Sequence, residues 1–396
     1  MTATFFDVWP VDDSSQDRLI HCITYNNHQN HPYRHFTIIM WGEAPSISKL
    51  REALEDPSRA IGMRMRAAYY LKQVHANNHG EDQHQQQDEI VLILSKGLLE
   101  KGHGSLMRHE FAYVMGQLKD ERCCHTLEQV LLQKDDCVIV RHECAEALGA
   151  IGAERSRPVL EQTIQDNLEV KELSDTSRLS LNVMDWRQSG GDPNEPPAAC
   201  ACMLNPYSSV DPAPPYAAHI NKSTQELGDI LLDASLALFE RYRAMFSLRN
   251  RGGSDAVQEL GRALVQDTSS PLLRHEVAYV LGQLQHEDSV EALEQSLRRT
   301  QEHTMVRHES AEALGAIEAR WSDVERILQE FTKDADVTVA ESCLVALDAA
   351  DYWGHATSPN DDDDQVVEQV EGEPLSFVKQ KNAKQQVLSQ HFNVQC

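Results

Sequence analysis

Two segments, MRHEFAYVMGQL (107–118) and VRHECAEALGAI (140–151), recur as LRHEVAYVLGQL (273–284) and VRHESAEALGAI (306–317). The spacing is as informative as the match. The step from His109 to His142 equals the step from His275 to His308, 33 residues, and each member of the first pair precedes its counterpart by 166 residues. One half of the chain is therefore a copy of the other. Within a segment, apolar residues such as Ala145, Leu148 and Ile151 return at helical spacing and line one face. Just upstream, Leu127, Val130 and Leu131 supply a second apolar stripe, with LLQKDD (131–136) as the turn between the two.

A period of about 33 residues containing two helices describes a HEAT-like hairpin, which buries its apolar face only against its neighbours. The same register reaches Met65 and Glu172 in the first half and Tyr242 and Glu341 in the second, so each half reads as four hairpins. The expected fold is all-α: a HEAT-like helical repeat solenoid of two pseudo-symmetric halves, without strand signals. The expected division is an irregular extension (1–45), a first repeat half (46–186), a proline-rich linker (187–224), a second repeat half (225–354) and an acidic disordered tail (355–396). Seven prolines between 187 and 216 forbid a continuing helix there. The polar insertion NNHGEDQHQQQ (77–87) reads as a loop, and its His79 and His84 as solvated, because nothing fixes their geometry.

A formal net charge of -26 argues against nucleic acid or an anionic membrane as partner. It suits a cationic substrate or partner, or simply an acidic soluble surface. Nine cysteines without paired spacings suggest reduced thiols, and neither a leader nor a membrane-spanning run is evident, so a cytoplasmic location is expected.

The inner repeats carry His109-Glu110, His142-Glu143, His275-Glu276 and His308-Glu309, whereas the terminal repeats place Met65-Arg66, Glu172-Leu173, Tyr242-Arg243 and Glu341-Ser342 at that register. Repeat architecture does not itself demand His-Glu, so the four pairs read as ligands of a two-metal site. His286-Glu287 lies out of register and is given no role. Neighbouring repeats stand one helix spacing apart, so His109 and His142 can share one ion and His275 and His308 a second. Imidazole and carboxylate without thiolate suit iron or manganese and tolerate zinc. Tyr113, Glu146, Tyr279 and Glu312 follow the histidines by four residues and can orient the imidazoles. Gly116, Gly149, Gly282 and Gly315 are expected to let helices approach closely. A dinuclear zinc or manganese hydrolase and a HEAT scaffold with a structural metal remain as alternative readings.

The paired segments, together with FERYRAMFSLRN (239–250) and YSSVDPAPP (207–215), resemble the deoxyhypusine hydroxylase family from about residue 50 to 350. The resemblance implies a di-iron, dioxygen-dependent monooxygenase with two Fe2+ ions as cofactor. Its implied substrate is the deoxyhypusine side chain of eukaryotic translation initiation factor 5A, a basic protein, and its product is hypusine. It further implies His109, His142, Glu143, His275, His308 and Glu309 as iron ligands. Glu110 and Glu276 would hold the amines of the substrate, although they are often grouped with the ligands.

Overall fold

The computed structural model of the chain describes residues 20–25, 34–39, 45–77, 83–190, 207 and 209–353. The described residues contain sixteen α-helices in eight hairpins. The first half pairs α1 (Ile47–Glu55) with α2 (Ile61–Asn77), α3 (Gln83–Leu99) with α4 (Gly104–Leu118), α5 (Cys124–Leu132) with α6 (Val138–Ile151), and α7 (Arg157–Asp166) with α8 (Lys171–Gln188). The second pairs α9 (Thr224–Leu232) with α10 (Leu238–Arg251), α11 (Gly253–Gln266) with α12 (Pro271–Leu284), α13 (Val290–Arg298) with α14 (Thr304–Gly315), and α15 (Trp321–Phe331) with α16 (Val337–Trp353). The repeat body is all-α with a HEAT-like architecture, as its periodicity indicates.

Two stretches differ from the sequence reading. β1 (Ile20–Tyr25) pairs antiparallel with β2 (Arg34–Ile39), Ile20 opposite Ile39, within the segment expected to be irregular and strand-free. IHCITY and RHFTII are short runs rich in β-branched and aromatic residues, which favour this pairing. In the 77–87 insertion, Gln83–Gln87 form the start of α3 rather than a loop. Glutamine is a good helix former, so the run extends the amphipathic helix behind it. His79, residues 191–206 of the expected linker and the acidic tail lie outside the described residues.

The outer helices are one-sided. In α13, Val290, Leu293 and Leu297 are buried while Glu291 and Arg298 are exposed. The inner helices are buried all round: every residue of α4 from Leu106 to Gly116 is buried, charged side chains included. These inner helices, α2 through α16, each pack on the next, and α16 returns to pack on α2. The two arcs thus close into a ring. One seam carries a 2.8 Å hydrogen bond between Ser105 and Thr338 and an Arg66–Asp348 ion pair. At the other, Lys171 Nζ donates to Ser269 O at 2.6 Å.

The arginine of each Arg-His-Glu triplet fixes the register of these helices. Arg108, Arg141 and Arg307 donate through Nε to Leu98 O, Leu131 O and Leu297 O at 2.7, 2.9 and 2.9 Å, tying each inner helix to the end of its outer partner. Arg241 does the same in a terminal repeat, to Leu231 O at 2.8 Å. The guanidinium then reaches the turn of the next repeat. Arg108 makes two 2.7 Å bonds to Asp136, Arg307 pairs with Asp334 at 2.6 Å and Arg274 with Glu302 at 2.6 Å. Arg108 and Asp136 are both buried, so Arg108→Ala would strand a carboxylate in the interior. That substitution is expected to cost about 3–5 kcal/mol, read as a lowered denaturant midpoint.

Candidate metal centre

Close approach of the inner helices brings the histidines together. A methyl group placed on Gly116 would sit 2.8 Å from Ala147 Cα, and one on Gly315 2.9 Å from Ala346 Cα. Gly149 and Gly282 are as tightly covered, by Ser180 and Ala313. A side chain at these positions must push the backbones apart. Gly116→Val is therefore expected to separate α4 from α6, destabilise the chain by about 1–3 kcal/mol and weaken metal retention, measured as metal per chain after dialysis.

His109, His142, His275 and His308 form one cluster where the arcs face each other. Ring centroids are 5.6 Å apart for His109–His142 and 5.5 Å for His275–His308, within the halves. Between halves they are as close, 5.3 Å for both His109–His308 and His142–His275. The hydroxyls of Tyr113 and Tyr279, equivalent residues of the two halves, meet at 3.3 Å. A residue that touches its own counterpart lies on the pseudo-twofold axis, so the axis runs through this site.

The donor set fits a metal. All four imidazoles are buried, and His142 and His308 are fully so. Neither ring nitrogen of His142 makes a hydrogen bond. Those of His275 and His308 lack a well-aligned one, with Glu309 Oε2 at 3.5 Å from His275 Nε2 and Glu312 Oε1 at 3.6 Å from His308 Nδ1. Buried nitrogens without hydrogen bonds are costly unless a cation takes their lone pairs. Burial and the other imidazoles push His142 well below its ordinary pKa, and burial with His109 lowers His308 to about 4, so both present the neutral, ligating form. His109 behaves oppositely: burial disfavours its charge, but Glu143 and Glu110 outweigh that and hold it well above the usual range.

Carboxylates surround the imidazoles. Glu143 Oε2 lies 3.0 Å from His109 Nε2. Donor atoms of His109, His142 and Glu143 fall within 4.8 Å of one another, the grouping the sequence assigns to one half. In the other half the compact group is His308, Glu309 and Glu312, while His275 gathers with His109 and His308 across the axis. Glu312, expected only to orient an imidazole, thus stands at ligand distance. Ser342 Oγ donates to it at 2.7 Å, and burial and Glu309 raise its carboxyl to about 7. Glu110 and Glu276 have unequal surroundings. Tyr69 donates to Glu110 Oε2 at 2.6 Å and His109 Nδ1 lies 3.4 Å from its other oxygen. Glu276 lines a small cavity of about 30 Å³ that opens to solvent, shared with His109, Glu143, His275 and Glu309. Burial, followed by Asp211 and other carboxylates, pushes Glu276 well above the carboxylate range, and Glu146, in the same cavity, is raised for the same reasons.

Tyr113 and Tyr279 also line this cavity, as do Ser209–Pro212 of the linker, which were not among the expected site residues. One signal was available. Gln117 and Gln283, eight residues after the first histidine of each half, occupy a position where the following repeats carry Ala150 and Ala316. Both glutamines bond to the linker.

A family model described as HEAT repeats matches residues 93–174 and 224–315. Deoxyhypusine hydroxylase of Xenopus laevis is 40% identical over 211 residues, 53% of this chain and 61% of the relative. That of Danio rerio is 43% identical over 169 residues, 43% of this chain and 52% of the relative. In these sequence alignments the chain spans 61% or less of the relatives' own length. The solved structure of human deoxyhypusine hydroxylase in complex with glycerol is 38% identical, with a TM-score of 0.66 over 77% of this chain and 96% of that one. Identity at this level over nearly the whole of a solved relative, with the repeat architecture shared, shows that the chain belongs to the deoxyhypusine hydroxylase family.

Proposed function

We propose that the chain hydroxylates the deoxyhypusine side chain of eukaryotic translation initiation factor 5A to hypusine, using two iron ions and dioxygen. The observation that carries this reading is the cluster of four buried imidazoles, three of them without a well-aligned partner on either ring nitrogen, ringed by glutamates on the pseudo-twofold axis. His109, His142 and Glu143 would hold one ion, and His275, His308 and Glu309 the second, with Glu312 as a further donor. When bound, ferrous iron supplies the electrons and open positions needed to activate dioxygen for attack on an unactivated C–H bond, which amino-acid side chains cannot do.

The chain's own residues bind and orient. Glu110, Glu143, Glu146, Glu276, Glu309 and Glu312 crowd the site. Burial and neighbouring carboxylates raise Glu146, Glu276 and Glu312, so a cation entering the site would draw these carboxyls into their ionised, pairing form. Glu276, facing the cavity, is placed to pair with an ammonium of the substrate. The net charge of -26 favours encounter with a basic partner surface. No helix among the described residues is long and apolar enough to cross a membrane.

The test is conversion of a deoxyhypusine-bearing peptide, followed by mass as gain of one oxygen atom. Chelation is expected to stop turnover and ferrous iron to restore it, whereas zinc should raise the melting temperature without restoring turnover. Full activity in metal-free protein would reject the proposal.

A further inference from the structure

The linker crosses the cavity once, so it breaks the twofold symmetry of the site. Its anchor is unusual among the arginines of the ring. Arg249 of α10 has no exposed side-chain surface, yet its carboxylate partner is not in a neighbouring repeat turn. Nη1 and Nη2 donate to Asp211 Oδ1 and Oδ2 at 2.8 and 2.6 Å. A fully buried guanidinium cannot remain unpaired, so docking of the linker is part of the folded state. The equivalent position in the first half is Lys72. From this anchor a hydrogen-bond chain runs into the cavity. Arg249 Nη1 also donates to Gln283 Oε1 at 3.0 Å, and Gln283 Nε2 donates to Ser209 Oγ at 3.0 Å and to Tyr279 Oη at 3.1 Å. Tyr279 in turn meets Tyr113 from the other half. On the first-half side, the Val210 amide donates to Gln117 Oε1 at 3.0 Å.

We propose that residues 209–212 are a fixed wall that sets the shape of the substrate cavity, and that Asp211, Arg249 and Gln283 are positioning residues that hold the Tyr279–Tyr113 hydroxyl pair against the bound side chain. This rests on reading the cavity as the substrate site. The ends of the chain of contacts belong to different halves, so the linker also reports whether the two arcs are in register.

Two measurements on the full iron-loaded chain test it. In amide hydrogen exchange, the amides of 209–211 are expected to be protected in the parent protein. Gln283→Met and Ser209→Ala both remove the Gln283–Ser209 bond, the first together with those to Arg249 and Tyr279 and the second with that to Asp211, and should each accelerate their exchange by about tenfold while the repeats stay protected. In kinetics with a deoxyhypusine peptide, both variants should raise KM by about tenfold, leave kcat within about threefold and retain parental iron. Ser209 lies in the linker and outside every repeat helix, so Ser209→Ala keeps the test open if Gln283→Met folds poorly. Exchange of 209–211 at the rate of an unstructured peptide in the parent protein would overturn the proposal. So would a fall in kcat alone in the variants, with exchange and KM unaltered. Parent protein that protects 209–211 yet does not convert the peptide would reject the substrate assignment while leaving the docked wall standing.

Discussion

His142→Ala is expected to bind about one iron per chain instead of about two and to show no detectable hydroxylation. His142 is fully buried, and neither of its ring nitrogens has a hydrogen bond within the protein. The metal-free chain therefore gains nothing from this imidazole as a donor or acceptor, and its removal should not greatly lower the melting temperature of the metal-free form. The loaded form is different, because an ion that binds only the folded state stabilises it by mass action. The increase in melting temperature on adding ferrous iron should thus be smaller in the variant. Parental iron content and turnover in His142→Ala would remove His142 from the ligand set.

The second large effect separates the glutamates. Glu143→Ala and Glu309→Ala are expected to lose iron, since each carboxylate stands beside the histidine of the preceding repeat, at 3.0 and 3.5 Å. Glu110→Ala and Glu276→Ala should keep most of the iron and bind the basic substrate more weakly. Their surroundings imply a ranking. Glu276 lines the cavity, whereas Glu110 is engaged by Tyr69 and His109. Loss of a carboxylate that faces an ammonium in a buried site costs roughly 2–5 kcal/mol, so Glu276→Ala should weaken peptide affinity on the order of 100-fold. Glu110→Ala should weaken it less and disturb the His109 ring. Equal iron loss in all four variants, measured beside peptide affinity, would show eight equivalent ligands instead.

The repeat architecture and the His-Glu register were legible because a solenoid repeats its chemistry at a fixed period. Once Met65, Glu172, Tyr242 and Glu341 mark the same register without His-Glu, the inner pairs stand out as more than scaffold. The pseudo-twofold relation between halves also implies that the two pairs face each other; what periodicity cannot show is how near they come. The sequence pairs His109 with His142 and His275 with His308, but the cross-axis distances of 5.3 Å are slightly shorter than those within the halves. Ring closure of α2 on α16 brings them together, and that follows from small rotations accumulated over eight hairpins. The role of the Arg-His-Glu arginine was hidden for a related reason. For Arg108, Arg141 and Arg307 the partners lie ten residues back and 26 to 28 residues forward, in turns whose Asp and Asn look like ordinary solvated turn chemistry. The docking of residues 209–212 was not legible, because prolines argue against helix but say nothing of where a linker packs. Only the buried Arg249 shows that Asp211 has a fixed destination.

The most direct test of the central claim is hydroxylation as a function of bound iron, using heavy-isotope dioxygen. Metal-free chain is loaded stepwise with ferrous iron, and label in the product peptide is measured against iron per chain. A two-ion centre built by the four imidazoles predicts label in the product and activity that rises until about two irons are bound per chain. Saturation at one iron, or product oxygen drawn from water, would contradict it.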